Sequence, residues 1–158
     1  MSANLAAKEK FLRFLARRKL RVTVQRKAII DSVFSTDEHF TAEQLFAWSQ
    51  RRERSVSRAT VYRALPLLTQ SGLLREMDFG KDYKFYDPNY AENPHHSHLI
   101  CQDCRKIFEF DDEEIKKLEK QISRRLGFSY RAHRLEITAS CDQFKRFGFC
   151  HKNKETVK

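Results

Sequence analysis

Apolar residues recur at helical spacing over residues 4–18, where Leu5, Phe11, Leu12, Leu15 and Ala16 stand among lysines and arginines. That spacing predicts a short amphipathic helix. A second helix is expected over 24–34, with Ala28, Ile29, Ile30, Val33 and Phe34 as its apolar residues and Thr23 as its cap. Residues 35–40 read as a polar turn. Thr41 then opens a third helix, because Gln44 stands three residues later in a capping-box arrangement. Leu45, Phe46 and Trp48 lie within it, and Arg51 to Arg54 place cations near its negative end. A fourth helix runs from its N-cap Ser57 to its stop at Gly72. Ala59, Leu65 and Leu68 are its inward residues; Arg58, Thr60, Tyr62 and Arg63 crowd its first turns. Pro66 predicts a kink, since a mid-helix proline loses a hydrogen bond and clashes one turn back.

After Gly72 the pattern changes. Residues 73–79 and 83–87 read as two strands around Gly80-Lys81-Asp82. Three helices followed by a β-hairpin form a winged helix-turn-helix, whose last helix enters a DNA major groove by its N-terminal residues. Lys81 in the wing is expected to touch the backbone. A connector with two prolines, residues 88–94, marks a hinge. Residues 95–110 predict a second hairpin, with Cys101-Gln102-Asp103-Cys104 as its turn. Faces alternate along a strand, so His96 and His98 point one way and Cys101 the other, and Glu109 returns near the histidines. Asp111 is the expected cap of a further helix, with Ile115, Leu118, Ile122 and Leu126 as its apolar stripe and Gly127 as its stop. A last strand is expected over 132–139, and the tail from Cys141 onwards is expected to fray. The fold class is α+β: a winged helix-turn-helix domain over 1–87, a hinge over 88–94, and a smaller α/β domain over 95–158.

Charge sharpens this division. The chain has 158 residues and a formal net charge of +10. Residues 1–85 hold 17 Lys and Arg against 9 Asp and Glu, whereas residues 86–158 hold 14 against 12. The basic half is the half with the winged-helix pattern, which suits a polyanion partner. No apolar run is long enough to span a membrane, and the first residues lack a signal-peptide core, so a cytoplasmic protein is expected.

The candidate chemistry is metal binding. Four cysteines in a chain expected to be cytoplasmic favour zinc over disulfides. Cys101, Cys104, Cys141 and Cys150 supply the four thiolates of a closed tetrahedral Zn2+ site. His96 and His98 with Glu109 form a separate nitrogen and oxygen donor group, which suits Fe2+, Mn2+ or Zn2+. The sequence has no glycine-rich phosphate loop, no HExxH pair and no nucleophile with a dedicated base, so an enzyme is not expected. A metalloenzyme using the histidine and glutamate group stands as the alternative from a different class.

These pieces resemble, over about residues 10–142, the ferric uptake regulator (Fur) family of metal-dependent bacterial repressors. The matching stretches are Arg21 to Arg26, His39 to Glu43, Ala59 to Arg63, and His95 to Cys104. The resemblance implies that residues 95–158 form a dimerisation domain and that a homodimer binds an A/T-rich, near-palindromic operator in double-stranded DNA. It implies base or sugar contacts by Tyr62 and Arg63 and a minor-groove contact by Arg21. With Ser57, Arg58, Thr60 and Lys81 these make the expected DNA-binding set. It also implies a regulatory metal site of His39, Asp87, His96, His98 and Glu109, beside the structural zinc.

The chain departs from the family pattern in places. Asp87 stands where the family often has glutamate. A further family site uses acidic residues where this chain has Ser97 and Lys116, leaving only His95 and His133 for a weak extra metal. Eight residues separate Cys141 from Cys150, longer than usual, and His151 could substitute for Cys150. Glu109 stands where the peroxide-sensing branch has aspartate, and no cysteine lies near the hinge as in the zinc-sensing branch. Fe2+ is therefore the expected corepressor, with zinc- or peroxide/manganese-responsive regulation as alternatives.

Overall fold

The computed structural model describes residues 2–78, 82–88 and 96–151, with side chains from residue 5 onwards. The chain divides into two compact units, Met1–Pro94 and His95–Lys158.

The first unit begins with helix α1, Ser2–Arg17. Phe11 and Leu15 on its inner face are fully buried, and Phe11 stacks on Phe14 with ring centroids 5.9 Å apart. Lys19, at φ 55°, turns the chain so that the Leu20 N–H returns to the Leu15 carbonyl at 3.0 Å. This is a left-handed helix ending, which satisfies carbonyls that the helix leaves over. Helix α2, Val24–Val33, starts where the Thr23 side chain accepts the Arg26 N–H. Its Ile29, Ile30 and Val33 join Phe11 and Leu15 in one apolar core.

The polar turn expected over 35–40 ends one residue too late. Phe40–Thr41 forms a short strand, β1, and Phe40 is fully buried. Thr41 also caps helix α3, Ala42–Arg52, in a complete capping box with Gln44. Helix α4, Arg58–Gln70, is capped by Ser57 and buries Val61, Ala64, Leu65 and Leu68. Ala59, expected inside, is exposed, because the buried positions fall on the face starting at Val61. The helix is continuous across Pro66, whose missing N–H removes one hydrogen bond from it. Gly72 follows α4 at φ 73°, a backbone region that costs glycine least. Strands β2, Arg75–Met77, and β3, Phe85–Asp87, are shorter than expected and complete an antiparallel sheet in the order β1-β3-β2. The middle of the wing, with Lys81, lies outside the described residues, as do residues 89–94 of the expected hinge.

The second unit holds strands β4, Ser97–Cys101, and β5, Ile107–Phe110, paired as an antiparallel hairpin. Helix α5, Glu113–Arg125, is capped by Asp112 rather than Asp111: the Asp112 carboxylate accepts the Glu114 and Ile115 N–H groups, whereas Asp111 pairs with Lys116. After Gly127 the chain returns as β6, Glu136–Ala139, parallel to β4 on its other side. The strand is half the expected length, and His133 and Leu135 precede it. The segment expected to fray contains helix α6, Asp142–Phe147, with Cys141 as its cap. Among the described residues, no helix is long and apolar enough to cross a membrane.

Candidate metal centres and nucleic-acid interface

The sheet of the first unit sets up one donor pair. Register places Phe40 opposite Tyr86 on β1 and β3, so His39 and Asp87 take the next facing positions. Their side chains are 3.9 Å apart, His39 Nε2 to Asp87 Oδ1. Phe40 stacks on Tyr86 at 5.9 Å and meets Trp48 of α3 edge-on at 5.6 Å, which packs the strand pair against that helix. Asp87 is 0 % exposed. A buried carboxylate is costly unless a cation or donors compensate it, and an imidazole beside it is a natural co-ligand.

The hairpin of the second unit sets up another group. Residues His96 and His98 share a face, their ring centroids 4.5 Å apart. Glu109 is the register partner of His98, and its Oε1 lies 3.9 Å from His96 Nε2. Both histidines are buried. Two imidazoles and a carboxylate, brought together by strand alternation and one hairpin register, offer three donors to one ion.

The opposite end of the same hairpin gathers the thiols. The Sγ atoms of Cys101, Cys104 and Cys141 lie within 4.8 Å of one another. The Cys104 N–H donates to Cys101 Sγ at 3.4 Å, and the Phe144 N–H donates to Cys141 Sγ at 3.4 Å. N–H groups aimed at sulfur stabilise thiolates. Arg105, at φ 60°, closes the turn. Asp103, between the two hairpin cysteines, accepts the Cys141 N–H at 2.6 Å and so ties the two thiol-bearing segments together. Cys150 lies outside the 4.8 Å group, yet its thiol is one of the groups that raise the Cys104 thiol. Its carbonyl accepts Lys106 Nζ at 3.0 Å. Burial pushes the Cys104 thiol up to about 12, and hydrogen bonds with the Cys101 and Cys150 thiols add to it, against a backbone hydrogen bond from Lys106. A divalent cation reverses that preference, because it favours the thiolate. No disulfide joins the four, and the donor set is the one a closed zinc site uses.

His133 meets three side chains of its own unit. Its Nδ1 lies 2.8 Å from Glu119 Oε2 and 2.7 Å from the Tyr130 hydroxyl, and its Nε2 lies 3.4 Å from Ser97 Oγ. Lys116 pairs with Asp111 and Glu113. His95 lies outside the described residues.

On α4, the buried face fixes what points out. Tyr62 is 55 % exposed and Arg63 is exposed beside it. Ser57 Oγ accepts the Thr60 N–H at 3.2 Å and pairs with the Thr60 hydroxyl. Arg58 donates through Nε to both oxygens of Glu43 at 3.1 Å and lies over the Phe46 ring. It thus braces α3 against α4. Arg21 is exposed, and its carbonyl accepts from the Arg26 guanidinium. Arg26, Gln25, Thr23 and Ser55 line a cavity with Thr60 and Arg63. Thr23, Gln25 and Arg26 fall within the matching stretch Arg21 to Arg26, whereas Ser55 carries no signal of its own in the sequence.

The ferric uptake regulator family model matches residues 17–138. The chain is 32 % identical over 152 residues to the ferric uptake regulation protein of Campylobacter jejuni, covering 95 % of this chain and 92 % of that one. The fold is similar to that of the Helicobacter pylori ferric uptake regulator, with a TM-score of 0.80 over 90 % of this chain and 93 % of that one at 21 % identity. The Francisella tularensis ferric uptake regulator, solved with iron, is 26 % identical with a TM-score of 0.68, over 80 % of this chain and 95 % of that one.

Proposed function

This chain belongs to the ferric uptake regulator family, and we propose that it is a repressor of metal-uptake genes whose corepressor is Fe2+. The observation that carries the reading is the division of donors. The unit with the exposed recognition helix contributes two, His39 and Asp87, and the other unit contributes three, His96, His98 and Glu109. Neither group alone satisfies an octahedral ion. One ion that takes all five links the two units, and its coordination free energy then becomes DNA affinity. Mixed imidazole and carboxylate donors suit Fe2+ and Mn2+ better than a thiolate site does. Cys101, Cys104, Cys141 and Cys150 hold a separate structural Zn2+.

Regulators of this family are dimeric DNA-binding proteins. In this chain the second unit exposes Leu118, Ile122, Leu126 and Ile137, an apolar surface that supports a homodimer. The operator is double-stranded, A/T-rich and near-palindromic, matching a two-fold dimer. Arg21, Ser57, Arg58, Thr60, Tyr62, Arg63 and Lys81 contact it. The protein acts in the cytoplasm and has no catalytic role.

The test is anaerobic mobility shift on an A/T-rich near-palindromic duplex, with Fe2+, Mn2+, Zn2+ or chelator. The expected result is a gain of about 5- to 150-fold with Fe2+, the usual span of such coupling. Equal affinity with and without metal overturns the mechanism. A gain with Zn2+ alone, at matched free metal, overturns the iron assignment. Replacing His96 and His98 by alanine abolishes the gain while leaving zinc content unchanged.

A further inference from the structure

The DNA-binding unit carries a cavity that the recognition helix alone does not explain. Its volume is about 340 Å³, and Thr23, Gln25, Arg26, Ser55, Thr60 and Arg63 line it. Three separate stretches meet there: the start of α2, the link between α3 and α4, and the first turns of α4. Two of the six side chains are guanidiniums and none is acidic. Two like charges kept around one concavity repel each other, and an anion between them relieves that repulsion.

The walls are built rather than incidental. Gln25 Nε2 donates to Ser55 Oγ at 3.0 Å, which ties α2 to the α3–α4 link. Ser55 in turn donates its hydroxyl to Glu53 Oε1 at 2.7 Å and its N–H to the same oxygen at 3.0 Å. Those bonds engage Glu53 Oε1, a nearby carboxylate oxygen, on Ser55. The Arg26 N–H donates to Thr23 Oγ1 at 3.2 Å, so the Thr23 hydroxyl keeps its own proton to give. One Arg26 guanidinium nitrogen is anchored on the Arg21 carbonyl. A guanidinium has five N–H donors, so this anchor positions it without exhausting it.

Two fork-shaped donors and two threonine hydroxyls lining one cavity match a tetrahedral oxyanion. We propose that this cavity seats one backbone phosphate of bound duplex DNA, gripped between Arg26 and Arg63. The proposal rests on the reading that this unit binds DNA. It gives the interface a sequence-independent anchor beside the exposed Tyr62. The anchor sets the depth and register of α4 on the duplex and carries no base information. A free inorganic phosphate offers the same chemical group.

The experiment is fluorescence anisotropy with the full chain and Mn2+, using one A/T-rich and one G/C-rich labelled duplex across a salt series. The variants are Arg26→Gln and Arg26→Lys, with circular dichroism to confirm native folding. Arg26→Gln is expected to weaken both duplexes alike and to reduce the slope of log K against log salt by about 0.9 per protomer, the value for one lost phosphate contact. Arg26→Lys is expected to retain most of that slope. An unchanged slope in folded Arg26→Gln, with wild type binding normally, overturns the proposal and leaves the DNA-binding reading intact. A loss confined to one duplex overturns it in favour of base readout. If the wild type binds neither duplex, the DNA-binding reading falls and this proposal with it. A third arm adds inorganic phosphate: if it raises the wild-type melting temperature but not that of Arg26→Gln, and displaces both duplexes, the resident anion is free phosphate and the DNA source is wrong.

Discussion

Zinc uptake by the metal-free protein should release about four protons, and Cys150→Ser should reduce that number to about three. Zn2+ binds thiolates, so each ligating cysteine must lose its proton. An ordinary cysteine titrates near about 8.5, and Cys104 is held up to about 12 by burial and its thiol neighbours. Cys104 therefore holds its proton at neutral pH until zinc arrives, and each thiol that ligates gives its proton up. Protons are released on binding, so affinity rises with pH, by about tenfold per unit for each thiol displaced. Four thiols give about 10⁴ per pH unit and three give about 10³, over the range below the ordinary thiol value. The Cys104 share of that rise persists up to about 12.

Calorimetry in buffers of different ionisation enthalpy reads the proton number at a single pH, and chelator competition across pH reads the slope. Two candidates stand for the fourth ligand: the Cys150 thiol, which acts on the Cys104 thiol, and His151, whose backbone N–H donates to Gln143 at 3.3 Å. An imidazole ligates as the neutral base and a cysteine as the thiolate, so His151 in the fourth position leaves three thiol protons to be released. A wild-type value near three that Cys150→Ser does not change assigns the fourth position to His151 or solvent. A value below three refutes the thiolate centre. The stakes are structural. Among the described residues of the second unit, the buried apolar side chains are few: Ile100, Cys101, Ile107 and Cys141. Structural zinc contributes on the order of 10–16 kcal/mol in small domains, so chelation should unfold this unit while the first keeps its own core.

Three other outcomes are expected. Tyr62→Ala should lose discrimination between operator and non-operator duplex by about 1–3 kcal/mol per base contact, read by anisotropy, with metal content unchanged. Phe11→Ala should cost about 3–5 kcal/mol, read as a lower urea midpoint, because Phe11 is 1 % exposed and packs on Phe34 as well as Phe14; a change below about 1 kcal/mol would show that α1 is an ornament rather than part of the core. Ile122→Glu on α5 should shift the protein from dimer to monomer in sedimentation, with the helix content of each chain preserved.

Local chemistry made most of the first unit legible. Thr23, Thr41 with Gln44, Ser57 and Gly72 each mark a helix boundary by a side chain or a backbone freedom acting within four residues. The same holds for the hairpin at Cys101 to Cys104, whose alternation placed His96 and His98 on one face. What escaped is what depends on distant partners. Strand β1 is two residues long, and its pairing partner Tyr86 lies far along the chain; nothing near Phe40 says that it pairs. Helix α6 is six residues long and is capped by a cysteine sulfur, whose ordinary reading is metal ligand and not cap. Asp111 and Asp112 are adjacent and chemically equal, so only the observed hydrogen bonds choose between them. The cavity around Arg26 draws on three stretches whose meeting no periodicity announces.

The stripe on α5 shows a different limit. Ile115, Leu118, Ile122 and Leu126 recur at helical spacing just as the core residues of α2 and α4 do, and the helix is cleanly divided into apolar and charged faces. Yet α5 buries none of its residues, and Leu118 is 55 % and Leu126 63 % exposed. Periodicity reports that a face avoids water; it does not report whose surface covers it. In α4 the cover is the chain's own α2 and α3. In α5, among the described residues, Leu118, Ile122 and Leu126 are left uncovered. A stripe of this strength left in water is unfavourable at about 25 cal/mol per Å². The free energy that α4 gains on folding is therefore available to α5 only on association, and this is why the basic first unit can be read as a self-contained reader of DNA while the second cannot be read as a self-contained fold.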